Sequence, residues 1–242
     1  MLARMKFPLP SLRHVSAGAA ALALLGSAPA LAQLDHDGAL WEALFVQADL
    51  GKLDAELEGF RGWLDLHGRW RDDGEDLDTT IFRPGIGYTF AEKTTAWLGY
   101  AWVETHPAGR GSRTEHRLWQ QLTWTPPSDG YTLSFRSRLE ERFVEDADDM
   151  GWRFRQFAKY TRPMESKARY LSAWDEVFFD LNDTDFGQDF GLRQNRAFLG
   201  IGFFLDSEHS LAFEVGYLNQ WLSRPGDDRM YHALSLNLLL TF

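Results

Sequence analysis

From about Ala39 to its last residue, the chain alternates apolar and polar positions in runs of ten or more residues. In 230–242, Leu234, Leu236, Leu238, Leu240 and Phe242 share one face, and Ser235, Asn237 and Thr241 the other. In 130–144, Tyr131, Leu133, Phe135, Leu139 and Phe143 alternate with Ser134, Arg136, Arg138, Glu140 and Arg142. A period of two puts each set on one face of a sheet. Turn residues separate runs at about 39–50, 53–70, 77–90, 93–105, 114–125, 130–144, 151–160, 168–182, 190–204, 209–221 and 230–242. Ordinary strands are ~5–6 residues long, and strands of ten or so are what a tilted crossing of hydrocarbon needs. The polar face is densely charged on successive strands, where a soluble chain of this size must bury an apolar core. These features predict an all-β fold, a transmembrane antiparallel up-and-down β-barrel of about 10–12 strands. Eleven runs sit awkwardly with the even count expected when both ends of a bacterial barrel lie in the periplasm. Ten strands without 39–50, or twelve with one unseen, both remain open.

The start of the chain reads as an export tag. Met1 to Arg13 carries Arg4, Lys6 and Arg13 with no acid, Val15 to Gly26 is apolar, and Ala30-Leu31-Ala32 offers a small-residue cleavage site. This is signal-peptide chemistry, dividing the sequence into 1–32 and a barrel over 33–242. The apolar stretch is too short for a membrane-spanning helix, which takes ~20 residues, and the longest later run is only Ala197 to Leu205. Membrane residence therefore falls to strands. Removing three positive charges moves the formal charge from −10 to −13, which disfavours nucleic acid as a partner. With no cysteine, disulfides and thiolate metal sites are excluded.

The connections alternate short with longer and more acidic, as periplasmic turns and extracellular loops do. Trp41, Trp63, Trp70, Trp102, Trp124, Trp152 and Trp221 fall towards strand ends, where interfacial girdles sit. The terminal Phe242 on an alternating strand resembles the signal by which bacterial outer-membrane barrels engage their assembly machinery.

A series of short strings carries a family resemblance: Arg83-Pro84-Gly85-Ile86-Gly87-Tyr88, Glu115 to Leu122 (EHRLWQQL), Arg138 to Phe143 (RLEERF), Asp175 to Phe179 (DEVFF), Gln194-Asn195-Arg196 and Gly216 to Gln220 (GYLNQ). In this order the chain resembles a family of Gram-negative envelope proteins known as a domain of unknown function, number 2490. The resemblance implies an outer-membrane barrel and brings no catalytic residue with it.

Alternation turns Arg83, Arg117, Arg136, Arg138, Arg142, Arg153, Arg155 and Arg196 inward, with Glu115, Glu140 and Glu176 as partners and Lys159 and Glu214 beside them. An arginine-rich lumen concentrates anions, and guanidinium forks onto carboxylate or phosphate. The expected role is either structural, with arginines and glutamates filling the interior, or a small anion-biased diffusion pore. Outer-membrane lipid and lipopolysaccharide are the expected surroundings, with a small acidic solute as possible cargo. Inward glycines, Gly85, Gly87, Gly99, Gly200, Gly202 and Gly216, make room for bulky neighbours such as Trp97 or Trp119, widen the lumen or bend the sheet. The acidic loop clusters lack calcium-loop spacing and read as solvated, so no metal or cofactor is expected. A lipid-directed hydrolase is the alternative. However, the histidines are scattered singly, His232 and Ser235 fall on opposite faces, and His116 points outward with no nucleophile nearby, so no enzyme is expected.

Overall fold

A computed structural model describes residues 35–224 and 226–242. The segment expected to be the signal peptide lies outside the described residues. The strands are β1 (Asp35–Asp49), β2 (Phe60–Arg71), β3 (Asp76–Ala91), β4 (Thr94–Thr105), β5 (Arg113–Trp124), β6 (Thr132–Val144), β7 (Met150–Pro163), β8 (Arg169–Asp180), β9 (Gly191–Phe204), β10 (Leu211–Leu222) and β11 (Arg229–Thr241). Each pairs antiparallel with its sequence neighbour, and β1 closes the barrel by pairing in parallel with β11.

That closure corrects the expectation of an even count. Evenness follows only when every neighbouring pair is antiparallel; a parallel ladder also satisfies the backbone and admits eleven strands. The first run is thus a full strand. The second begins seven residues later than its pattern suggests, because 50–59 folds as two short 3-10 turns. Asp49 accepts from the backbone N–H of Gly51 and Asp54 from that of Glu56, pulling this stretch out of extended conformation.

The expected contrast of short turns with long loops is only partial. The rim that holds the two-residue turn Glu92-Lys93 also holds 50–59 and 125–131. The opposite rim is acidic, through Asp72 to Glu75, Glu145 to Asp149 and Asn182 to Asp189.

The outer face is apolar and open: Ile86, Leu98, Leu199 and Leu234 are each more than half exposed. Inside, Trp63, Ile81, Trp97, Ala101, Val103 and Trp119 form one buried cluster. Phe198, Leu218 and Ala233 form a second, against which Ala39, Trp41 and Trp174 pack. Trp41 and Trp63 therefore belong to the interior and not to a girdle. They share parity with the inward set of their strands, and parity outranks nearness to a strand end.

Glycines make the space for the large inward rings. The ring of Trp119 lies over Gly85 and Gly99, that of Trp97 over Gly87, and that of Tyr170 over Gly202, all closer than a Cβ would permit. Room for a bulky neighbour, one of the three readings of these glycines, is thus their role here. We expect Gly202→Ala to cost ~1–3 kcal/mol through overpacking, read as a lower urea midpoint in detergent; an unchanged midpoint would show that Tyr170 can swing aside.

Candidate functional site

The interior contains a lattice of charged side chains delivered by every second residue of β2, β3 and β5 to β10. Its spine runs through shared carboxylates. Arg142 donates to Glu115 at 2.5 and 3.0 Å, and Arg117 donates to the same carboxylate at 2.8 and 3.0 Å. Arg117 also reaches Glu140 at 3.5 Å, and Arg155 donates to Glu140 at 2.6 Å. Arg155 then spans to Glu176 at 3.0 and 2.8 Å, where Arg136 donates at 2.7 Å. Alternating charge of this kind lets each buried carboxylate serve two cations, which offsets the cost of taking both signs out of water.

Three further pairs flank the spine. Arg83 donates to Asp65 at 3.0 Å, and Arg153 to Asp180 at 2.6 and 3.2 Å. Lys159 donates to Glu214 at 2.6 Å, with the Tyr170 hydroxyl donating to the same carboxylate at 3.0 Å. All eight arginines and three glutamates singled out from the sequence line this interior. Asp65, Asp180 and Arg69 were missed. Asp65 shares its face with Trp63 and His67 and does not read as part of a polar stripe, whereas Asp180 shares parity with Glu176 on β8, the signal that could have found it.

Among the described residues, two of the eight arginines, Arg138 and Arg196, have no carboxylate within hydrogen-bond distance, and neither has Arg69. The nearest carboxylate oxygen to Arg138 is that of Glu140, 3.7 Å from Nη1, and its Nε donates to Gln121 at 2.8 Å. Its guanidinium lies 4.5 Å from the ring centroid of Trp119 and 5.8 Å from that of Trp63. Arg196 donates to Gln220 at 3.0 Å and lies against Trp41 and Phe178, and Arg69 lies over Trp41. Aromatic faces lie against all three guanidiniums, and for Arg138 they add to the ion pair with Glu140.

The acidic rim is covered from above. The β8–β9 loop sends Gln188 inward, where its Oε1 accepts from Arg142 at 2.7 Å and its Nε2 donates to the carbonyls of Trp152 and Asn182. Phe186 follows it down to lie against Gly151, Arg113 and Arg142. Above them Asp185 accepts from the backbone N–H groups of Asp148 and Asp149, and Asp149 accepts in turn from that of Asp185. These loop acids hold two loops together. Among the described residues, no three His, Cys, Asp or Glu side chains converge as metal ligands.

Arg138, Glu140 and Trp119 are all fully buried, so the lumen at this level is filled by its own side chains. On the outer face, His116 and His232 each place Nδ1 2.5 Å from a tyrosine hydroxyl, those of Tyr100 and Tyr217. Ser235 is buried on the face opposite His232.

The profile of a family described as "Protein of unknown function (DUF2490)" matches residues 38–231. An uncharacterised protein of Methylorubrum extorquens is 30% identical over 236 residues, covering 96% of this chain and the whole of that relative. The matched stretch takes in the charged interior.

Proposed function

This chain belongs to the DUF2490 family, and we propose that it is a sealed β-barrel of the bacterial outer membrane, exported by a cleaved signal peptide and serving a structural role. The observation that carries this reading is the inverted polarity of the barrel. Leu98, Leu199 and Ile86 are more than half exposed outside, while Arg138 and Glu140 are wholly buried inside. Lipid rewards that arrangement, and water does not. Polar groups on the outer face largely satisfy one another: Gln120 donates to Glu141 at 3.1 Å, Ser137 to Gln156 at 2.6 Å, and Asn195 to Asp175 at 3.1 and 3.0 Å. Pairing lowers the cost of such groups beside hydrocarbon. Lipid and lipopolysaccharide are then the surroundings of the outer face. The β11 strand ending at Phe242 is the segment offered to the assembly machinery.

Of the two roles foreseen, filling is the one the geometry supports, because the spine, Trp119 and Gln188 occupy the path a solute would take. Planar-bilayer recording of refolded protein under a salt gradient tests this. We expect heat-modifiable migration, showing a folded barrel, and no discrete conductance steps. Reproducible anion-selective steps would overturn the sealed lumen. Recovery outside the outer-membrane fraction would overturn the location.

A further inference from the structure

A groove of about 530 Å³ runs across the outer face of the barrel at the parallel seam, from β3 over β2 and β1 to β11. Strand register builds it in two rows. Thr80, Gly68 and Glu42 stand opposite one another in the row nearer the acidic rim. Two residues further from that rim on each strand, Phe82, Leu66, Leu44 and Leu238 form a row that is wholly apolar. The period of two keeps both rows on the outer face. Gly68 has no side chain and Thr80 a short one, which leaves space beside Glu42.

Glu42 is out of keeping with this setting. It is exposed beside the leucines and Phe82, and its Oε2 accepts from the Trp70 indole N–H at 3.3 Å. Among the described residues, no salt bridge and no second hydrogen bond reaches its carboxylate. A carboxylate beside hydrocarbon is costly without a counter-charge. Other acids of the outer face are served from the adjacent strand: Glu141 accepts from Gln120, and Asp175 accepts twice from Asn195. Glu42 has Gly68 on one side and Leu236 on the other, and neither side chain can donate.

The depth of this carboxylate follows from Trp70, the last residue but one of β2, just before the turn at Asp72–Gly74. An outward indole at a strand end sits at the level of lipid headgroups. The apolar row reaches from there towards the middle of the membrane. We propose that the groove holds an acyl chain of a membrane lipid whose headgroup carries a primary ammonium. The ammonium pairs with Glu42, and the chain lies on Leu44, Leu66 and Phe82. A volume of about 530 Å³ is that of a small-ligand cleft, for which ~300–1,000 Å³ is usual. A second barrel is a poor occupant, because a two-fold contact centred here would bring two Glu42 carboxylates together. The inference rests on the membrane location in the proposed function.

Phosphatidylethanolamine serves as the probe, with phosphatidylglycerol of the same acyl chains as the comparison. The full barrel is refolded in detergent holding equal amounts of the two, and the lipid it retains is weighed by native mass spectrometry. We expect phosphatidylethanolamine to be retained in roughly fivefold excess, the scale of a single ion pair. Glu42→Gln, which keeps the shape and removes the charge, should bring the two lipids level. Gly68→Leu should reduce retention of both. A Cβ at Gly68 would meet Trp70 Nε1 at 3.5 Å, an ordinary contact, so the new side chain enters the groove without displacing the backbone. Equal retention of the two lipids by the native protein would overturn the site. So would a preference that persists in Glu42→Gln, undiminished retention in Gly68→Leu, or a barrel dimer in place of the lipid adduct. Should either variant fail to fold, the comparison of the two lipids on the native protein decides alone. Recovery outside the outer-membrane fraction would sink the location, whereas the lipid preference is measured in detergent and stands or falls separately.

Discussion

Glu140→Leu is expected to destabilise the barrel by ~3–5 kcal/mol, enough to abolish most of the heat-modifiable folded form. Glu140 sits at the centre of the spine, with Arg155 2.6 Å from Oε1, Arg117 3.5 Å from Oε2 and Arg138 3.7 Å from Oε1. Leucine fills a similar volume, so the loss is electrostatic and not a cavity. It leaves Arg117 dependent on Glu115 and Arg155 on Glu176, and takes the nearest carboxylate from Arg138. Glu140→Gln should cost less, since its amide oxygen still accepts from one guanidinium. Urea midpoints in detergent, followed by tryptophan fluorescence, provide the check. A Leu variant within ~0.5 kcal/mol of the native protein would mean that the spine is not a stabilising unit.

Trp119→Ala should cost a comparable ~3–5 kcal/mol by a different route. The indole is fully buried, donates to the Tyr100 carbonyl at 3.0 Å, and lies edge-on to Trp63 at 6.4 Å. Because Gly85 and Gly99 beneath it carry no side chains, nothing can collapse into the space it leaves. Arg138 loses its nearest aromatic face at the same time. Trp119→Phe retains most of the contact and should cost less than half as much. If Trp119→Ala instead matched the native midpoint but opened conductance steps in a bilayer, the ring would be a plug without a packing role.

Facing was the legible part of this interior, because side-chain direction along a strand depends only on parity. The eight arginines and three glutamates could be placed together without knowing a single pairing. The pairings themselves were hidden. Arg136 meets Glu176 forty residues away, and Arg142 meets Gln188 from a loop. Such meetings depend on stagger between strands and on loop path, neither of which alternation encodes. Trp41 and Trp63 misled because a tryptophan near a strand end suits a girdle and a core equally well. The eleven runs match the eleven strands; what misled was the even-number rule, drawn from antiparallel neighbours and applied to a closing pair that is parallel.

That parallel seam also dictates the order of assembly. Every other neighbour pair joins strands adjacent in sequence, whereas β1 meets β11 with Ala39 opposite Ala233, 194 positions further along. Hairpin by hairpin the sheet can grow from either end, but the seam has to wait until both terminal strands exist, at the largest loop-closure entropy in the molecule. Until then the curled sheet carries two open edges that invite pairing with other chains. The slow phase of refolding should therefore report seam closure, and substitutions at Ala39 or Ala233 should retard it more than equally destabilising ones within a hairpin.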